Sequence, residues 1–161
     1  PLPEAQIDRF MMKIRVDYPS AEEEREIMTR VYGGVEDRMA GAVDWARIAQ
    51  AGQTMRAIHM EDRIMDYVVQ LVRATREPEA FGLELAPMIQ YGASPRASIW
   101  LGLAARAHAF VSGRGYVTPQ DVKTMAPDIL RHRIILSYEA EAEEKTTDDL
   151  IEVLLERLEV P

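Results

Sequence analysis

Residues 92–113, GASPRASIWLGLAARAHAFVSG, carry a helix together with its start and stop signals. Ser94 is a capping residue, because its hydroxyl can accept a hydrogen bond from a free N–H of the first turn. Pro95 takes the first helical position, where its missing N–H costs nothing. Gly113 closes the segment, so the pattern predicts a helix from Ser94 to about Ser112. One residue is out of place. The amino end of a helix carries a partial positive charge, so the cation Arg96 is disfavoured in this first turn unless something negative faces it.

Working outward, the other helix starts carry the opposite charge. SAEEEREIMTRVYGG (residues 20–34) has Ser20 as cap, acids at Glu22, Glu23 and Glu24, and a Gly33-Gly34 stop. DWARIAQAGQTMRAI (44–58) begins on Asp44, with Trp45, Ile48, Ala49 and Met55 near one stripe. MEDRIMDYVVQLVRATRE (60–77) begins with Glu61 and Asp62, and Ile64, Val68, Leu71 and Val72 recur at helical spacing. TPQDVKTMAPDILRHR (118–133) has Thr118 as cap, Pro119 next, and Asp121 as the acid of a capping box. Its Pro127 predicts a kink or a second short helix. TTDDLIEVLLERLEV (146–160) opens with Asp148 and Asp149 and places Leu150, Val153, Leu154 and Leu158 on one face. Between these lie FGLELAPMIQYG (81–92), read as loop or short extended structure, and IILSYEA (134–140), which can hold a short extended piece. FMMKIRVDY (10–18), with β-branched Ile14 and Val16, reads as a short strand ended by Pro19. The expected fold is mainly α, a bundle of about five to seven helices with short loops.

Among these starts, only the Ser94 helix carries a cation and no acid. The first turn, Ser94, Pro95, Arg96 and Ala97, together with the Arg96 guanidinium, suits a phosphate. The alternative is a surface arginine paired with a distant carboxylate.

Composition narrows the partners. Of 161 residues, 47% are apolar and 29% charged, which fits a globular chain rather than a disordered one. There is no cysteine, so neither a disulfide framework nor a thiolate metal site exists, and an intracellular, cytoplasmic home is compatible. No apolar run approaches the roughly 20 residues of a membrane span, and no signal peptide is visible. The net charge of −8 is unevenly spread: residues 138–161 hold nine acids and two bases, whereas residues 94–133 hold six bases and two acids. That balance argues against extended nucleic-acid binding but permits one anionic ligand at the basic stretch.

Other conspicuous residues have plain explanations. His59, His108 and His132 lack metal-ligand spacing and are expected to be packing or surface histidines. Trp45 and Trp100 are expected to anchor the core, and the nine methionines to fill gaps on helical faces. Arg131 and Arg133 suit a helix carboxyl end. The acidic final segment reads as a solvated face. GRGYVTP (113–119) is a turn and not a phosphate loop, and its Arg114 is not expected to touch ligand. A helix-turn-helix built on residues 118–133 fails on charge and on Pro127.

Two stretches go further. The segment GASPRASIWLGLAARAHAFVSGRGYVTPQDVKTMAPDILRHRIILSYEAEAE (92–143) resembles the C-terminal lid of the MoxR family of AAA+ ATPases. The opening PLPEAQIDRFMMKIRVDYPSAEEE (1–24) is similar to the last part of the same family's ATPase core. The resemblance covers nearly the whole chain and is weakest between about Tyr32 and His59. It implies an AAA+ lid-type bundle over residues 20–161, preceded by a remnant of the core over 1–19 whose strand has lost its sheet neighbours. It implies that Arg96, with Ser94, Pro95 and Ala97 around it, is the sensor 2 residue reaching the nucleotide phosphates of its own subunit. It implies that Arg9, in the Asp-Arg-Phe motif, is an arginine finger acting on the neighbouring subunit. The implied activity is ATP binding and hydrolysis, with magnesium, in a homo-oligomeric ring, usually a hexamer. Such rings remodel client proteins and act with partners bearing von Willebrand factor A domains.

The chain departs from that family in one respect. It has no G-x-x-x-x-G-K-[ST] loop to cradle phosphates. Both arginines are present without the pocket they serve, so a lid fragment inactive by itself is expected. The competing expectation is a helical protein-interaction module with no nucleotide dependence.

Overall fold

A computed structural model describes residues 3–34 and 44–161. Residues 1, 2 and 35–43, part of the expected core remnant and of the stretch of weakest resemblance, lie outside the described residues. The chain is mostly helical: α1 (Glu4–Ile7), α2 (Ala21–Tyr32), α3 (Trp45–Arg56), α4 (Asp62–Ala74), α5 (Pro95–Val111), α6 (Pro119–Leu130), α7 (Tyr138–Ala142) and α8 (Thr147–Arg157). Two short strands, β1 (Ile89–Tyr91) and β2 (Ile135–Leu136), pair antiparallel, with Ile89 opposite Leu136 and Tyr91 opposite Ile135.

Local capping chemistry sets the helix starts. Ser20 and Glu23 form a reciprocal box at α2, with the Ser20 N–H donating to Glu23 over 2.8 Å and the Glu23 N–H to Ser20 Oγ over 3.3 Å. Thr146 and Asp149 repeat it at α8. Asp44 accepts from the Ala46 N–H at α3.

The core lies between α4, α5, α6 and α8. Ile64, Tyr67, Val68, Leu71 and Val72 of α4 face Leu101 and the alanines 97, 104, 105 and 109 of α5, Val122, Ile129 and Leu130 of α6, and Ile151 and Leu154 of α8. The four buried alanines let the backbones of α5 and its neighbours approach closely. Each large aliphatic side chain buried here contributes about 1.5–3 kcal/mol.

Several expectations are corrected. Residues 10–18 form no ladder with any described residue: 10 and 11 lie in a bend and 12–18 adopt no regular secondary structure. Their β-branched side chains favour a strand only where a partner exists, and their backbone instead leans on α6, with the Lys13 N–H donating to the Asp128 carbonyl over 2.8 Å. Pro127 does not split its helix: α6 runs continuously to Leu130, and the proline sits in its last turn, where one lost hydrogen bond is tolerated. Trp45 is 82% exposed: residues 44–50 are all exposed, and only the second half of α3, through Ala51, Gly52 and Met55 on the same face, is partly buried against the body of the molecule. Trp100 is partly buried against the core, as expected. On α8 the buried face is Leu150, Ile151, Leu154 and Leu158, leaving Val153 half exposed. α2 buries none of its residues. Residues 138–142, not expected to be helical, form α7 because the Ser137 hydroxyl caps the Ala140 N–H.

Candidate functional site

The start of α5 is fastened to the end of α4. The hydroxyl of fully buried Thr75 donates to the Val72 carbonyl over 2.7 Å and accepts from the Ala93 N–H over 2.8 Å. Arg76 donates to the Ala93 carbonyl over 2.9 Å. Gly92 permits this approach, since a Cβ there would lie 2.2 Å from the Thr75 carbonyl oxygen.

The negative group that Arg96 calls for is Asp8. Its carboxylate accepts from Arg96 Nη1 over 2.8 Å, from the Ser94 hydroxyl over 3.0 and 3.1 Å, and from Arg133 Nε over 3.0 Å. Ser94 therefore sits at the cap position without capping: its hydroxyl is given to Asp8, and the backbone N–H of the first turn is not its partner. Of the two alternatives open in the sequence, a phosphate or a distant carboxylate, the chain itself supplies the carboxylate. Arg96 is paired but not buried; its side chain remains 46% exposed. Ala97 is fully buried and packs into the core, which removes it from direct contact with a ligand.

Arg133 is the residue that sequence reasoning undervalued. Its guanidinium is buried and makes five hydrogen bonds: Nε to the Asp8 carboxylate, Nη1 to the carbonyls of Met11 (3.1 Å) and Ile129, and Nη2 to the carbonyls of Asp8 (2.9 Å) and Phe10 (2.5 Å). All five N–H donors of an arginine are thereby used. Burial pulls this guanidinium below its ordinary value, and the Asp8 carboxylate works against that pull. The helix dipole, offered as its explanation, accounts for only one of these bonds. Arg131 is likewise engaged, with Asp128 (2.6 Å), Asp148 (3.0 Å) and the Lys13 carbonyl (2.8 Å). The acidic final segment therefore does more than face solvent, since Asp148 joins α8 to Arg131 and to Arg15.

Arg9 is exposed. The backbone on either side of it is held by Arg133. A cleft of about 610 Å³ opens beside this cluster, lined by Asp8, Lys13, Ser94, Arg131, His132 and Arg133 among others. Arg9 follows Asp8 in the chain, and Arg96 pairs with the Asp8 carboxylate. A signal for Asp8 existed in the sequence: a helix start with an uncompensated cation requires an anion nearby.

A second buried cluster ties α5 to α6. The Asp121 carboxylate, 1% exposed, accepts from the Thr118 N–H (2.7 Å) and hydroxyl (2.8 Å), lies 2.6 Å from His108 Nδ1, and pairs with both terminal nitrogens of Arg114. Burial pushes this carboxyl up, but the bonds from Arg114, His108 and Thr118 outweigh it and hold it well below the usual carboxylate range. Asp121 completes the acidic cap as expected, and it also gives Arg114 and His108 a structural partner. No group of three or more side chains able to hold a metal occurs among the described residues. No described helix is long and apolar enough to cross a membrane.

The fold and this cluster together define a helical lid bundle with a clamped N-terminal segment. Comparison with known proteins agrees. The AAA lid domain family matches residues 84–154. Chaperone MoxR1 of Mycobacterium tuberculosis is 44% identical over 166 residues, covering 100% of this chain and 43% of that protein. Protein MoxR of Methylorubrum extorquens is 33% identical, covering 99% of this chain and 50% of that protein. A crystal structure of a protein from Cytophaga hutchinsonii assigned as an ATPase superposes with a TM-score of 0.95 at 43% identity, over 100% of this chain and 49% of its own. The chain belongs to the MoxR family of AAA+ proteins. It spans about half the length of the relatives it matches.

Proposed function

We propose that residues 20–161 are the lid, and residues 1–19 the end of the ATPase core, of a MoxR-type machine that hydrolyses ATP in a homo-oligomeric ring to remodel client proteins. The carrying observation is the donor set at the start of α5. Ser94 Oγ and Arg96 Nη1 converge on the oxygens of one carboxylate, and the Arg96 side chain stays 46% exposed. That set fits an oxyanion, and a nucleotide phosphate presents the same oxygens with more charge. In this proposal Arg96 is sensor 2 and serves the nucleotide of its own subunit. Ser94 and Pro95 shape the turn that presents it, and Ala97 anchors that turn in the core. Arg9, exposed on the surface, is the arginine finger for a neighbouring subunit. Both would stabilise charge on the transferred phosphoryl group, which bound magnesium also neutralises in such sites. Partners carrying von Willebrand factor A domains, and a cytoplasmic location, belong to the same proposal.

The test is Arg96→Ala in the full-length protein. Turnover of ATP is expected to fall at least tenfold with the fold intact by circular dichroism. Unchanged turnover would leave the alternative, a helical interaction module without nucleotide dependence.

A further inference from the structure

The proposed finger, Arg9, is exposed, so its aim depends on how the backbone that carries it is held. The carbonyls of the residues on either side of it provide the answer. Nη2 of Arg133 donates to the carbonyl of Asp8 on one side and to that of Phe10 on the other, and Nη1 extends the grip to Met11. The clamp is rigid for two reasons. Its guanidinium is buried and has no unsatisfied donor left to trade with water. Its stem rises from the end of α6, and a further bond to the Ile129 carbonyl fixes it there. The fifth bond, Nε to the Asp8 carboxylate, joins the clamp to Arg96 and Ser94 through the same two oxygens.

We propose that Arg133 is the positioning residue of Arg9: it sets the reach of that arginine across a subunit interface, and Asp8 links that setting to Arg96. This rests on the assignment of Arg9 as a finger acting in trans. Arg133 itself is not expected to touch nucleotide, since every donor it has is committed within the chain. Lysine cannot replace it, because one ammonium offers three donors from a single point and cannot span the carbonyls of residues 8, 10 and 11 and the carboxylate together.

The experiment is a mixed-ring assay in the full-length protein. Subunits carrying Arg133→Lys are combined with subunits whose own phosphate-binding lysine has been replaced, and ATP turnover and KM are measured for each mixing ratio. The expected result is a loss of kcat of about 100-fold, the cost of roughly 1 Å of misplacement, at the sites that the variant subunit serves in trans. The variant's own site, served by an unaltered neighbour, should keep its kcat, with only its KM shifted through Asp8 and Arg96. Equal loss at both kinds of site would overturn the proposal and leave Arg133 a residue of the fold alone. Asp8→Asn, which keeps the backbone clamp but removes the charge, guards against a variant that does not fold. It should give a smaller loss, again confined to the trans sites and accompanied by a changed KM at the cis site through Arg96. No trans loss from Asp8→Asn would equally overturn the proposal. Arg9→Ala in the same assay separates the two layers. If it has no trans effect, the finger assignment fails; if it has one and the Arg133 and Asp8 variants do not, only the present inference fails.

Discussion

Gly92→Ala tests how the start of α5 is held. A Cβ at this position would lie 2.2 Å from the Thr75 carbonyl oxygen, 2.5 Å from its carbon and 2.7 Å from the Arg76 nitrogen. Ordinary contact begins at 3.4 Å, so the loop must retreat by more than an ångström from backbone that cannot rotate away. That movement strains the bonds of Ala93 to Thr75 and Arg76. Overpacking of this kind costs about 3 kcal/mol, which in a chain of this size lowers Tm by about 6–12 °C. The internal control is Gly102→Ala. No atom lies within 4 Å of a Cβ there, the position is inside α5, and the change should stabilise by up to about 1 kcal/mol. Thermal melts followed by circular dichroism at 222 nm would show the two alanines moving Tm in opposite directions. In the full-length protein Gly92→Ala should also cut ATP turnover, because Arg96 lies four residues along the displaced segment. A Gly92→Ala melt coincident with that of the unaltered chain would refute the close-approach account of this loop.

Acid should act through Asp121. Its folded-state value is depressed, so its contribution is complete above the ordinary aspartate value of 3.8 and is lost as pH falls below it. Urea melts of Asp121→Asn should therefore show lower stability than the parent at neutral pH and a flatter decline in acid; parallel pH profiles would contradict this. The corrected placement of α3 gives a contrasting pair. Leu101→Ala, at a fully buried site, should cost about 2–5 kcal/mol, whereas Trp45→Ala should stay within about 0.5 kcal/mol of the parent. Denaturant titration measures both, and a large loss from Trp45→Ala would restore it to the core.

The parts of the fold that were legible in the sequence are those governed by neighbours in the chain. Ser20 with Glu23, Thr118 with Asp121 and Thr146 with Asp149 announce their helices because the interacting groups are three residues apart. The apolar spacing of Ile64, Val68, Leu71 and Val72 announces a buried face for the same reason. The strand expected at residues 10–18 failed because extended backbone is decided by what lies beside it, and here that is the end of α6. Trp45 failed because an apolar stripe does not say how much of its helix's length is covered, and here only the second half of α3 is. At the site, the charge mismatch at Arg96 correctly demanded an anion but could not say which one. The clamp by Arg133 left no trace in the sequence at all. Four of its five acceptors are backbone carbonyls, present at every residue, and four of its five bonds reach residues 8–11, which only tertiary packing brings there.

The unequal surroundings of the two indoles have a practical consequence. Trp45 stands in water on α3, while Trp100 lies partly buried against the core with its Nε1 enclosed. The chain thus carries two natural fluorophores with separable emission. A soluble quencher such as iodide will silence Trp45 first, so the shielding of that one signal reports whatever comes to rest on α3, while the blue-emitting Trp100 independently reports whether the bundle is intact.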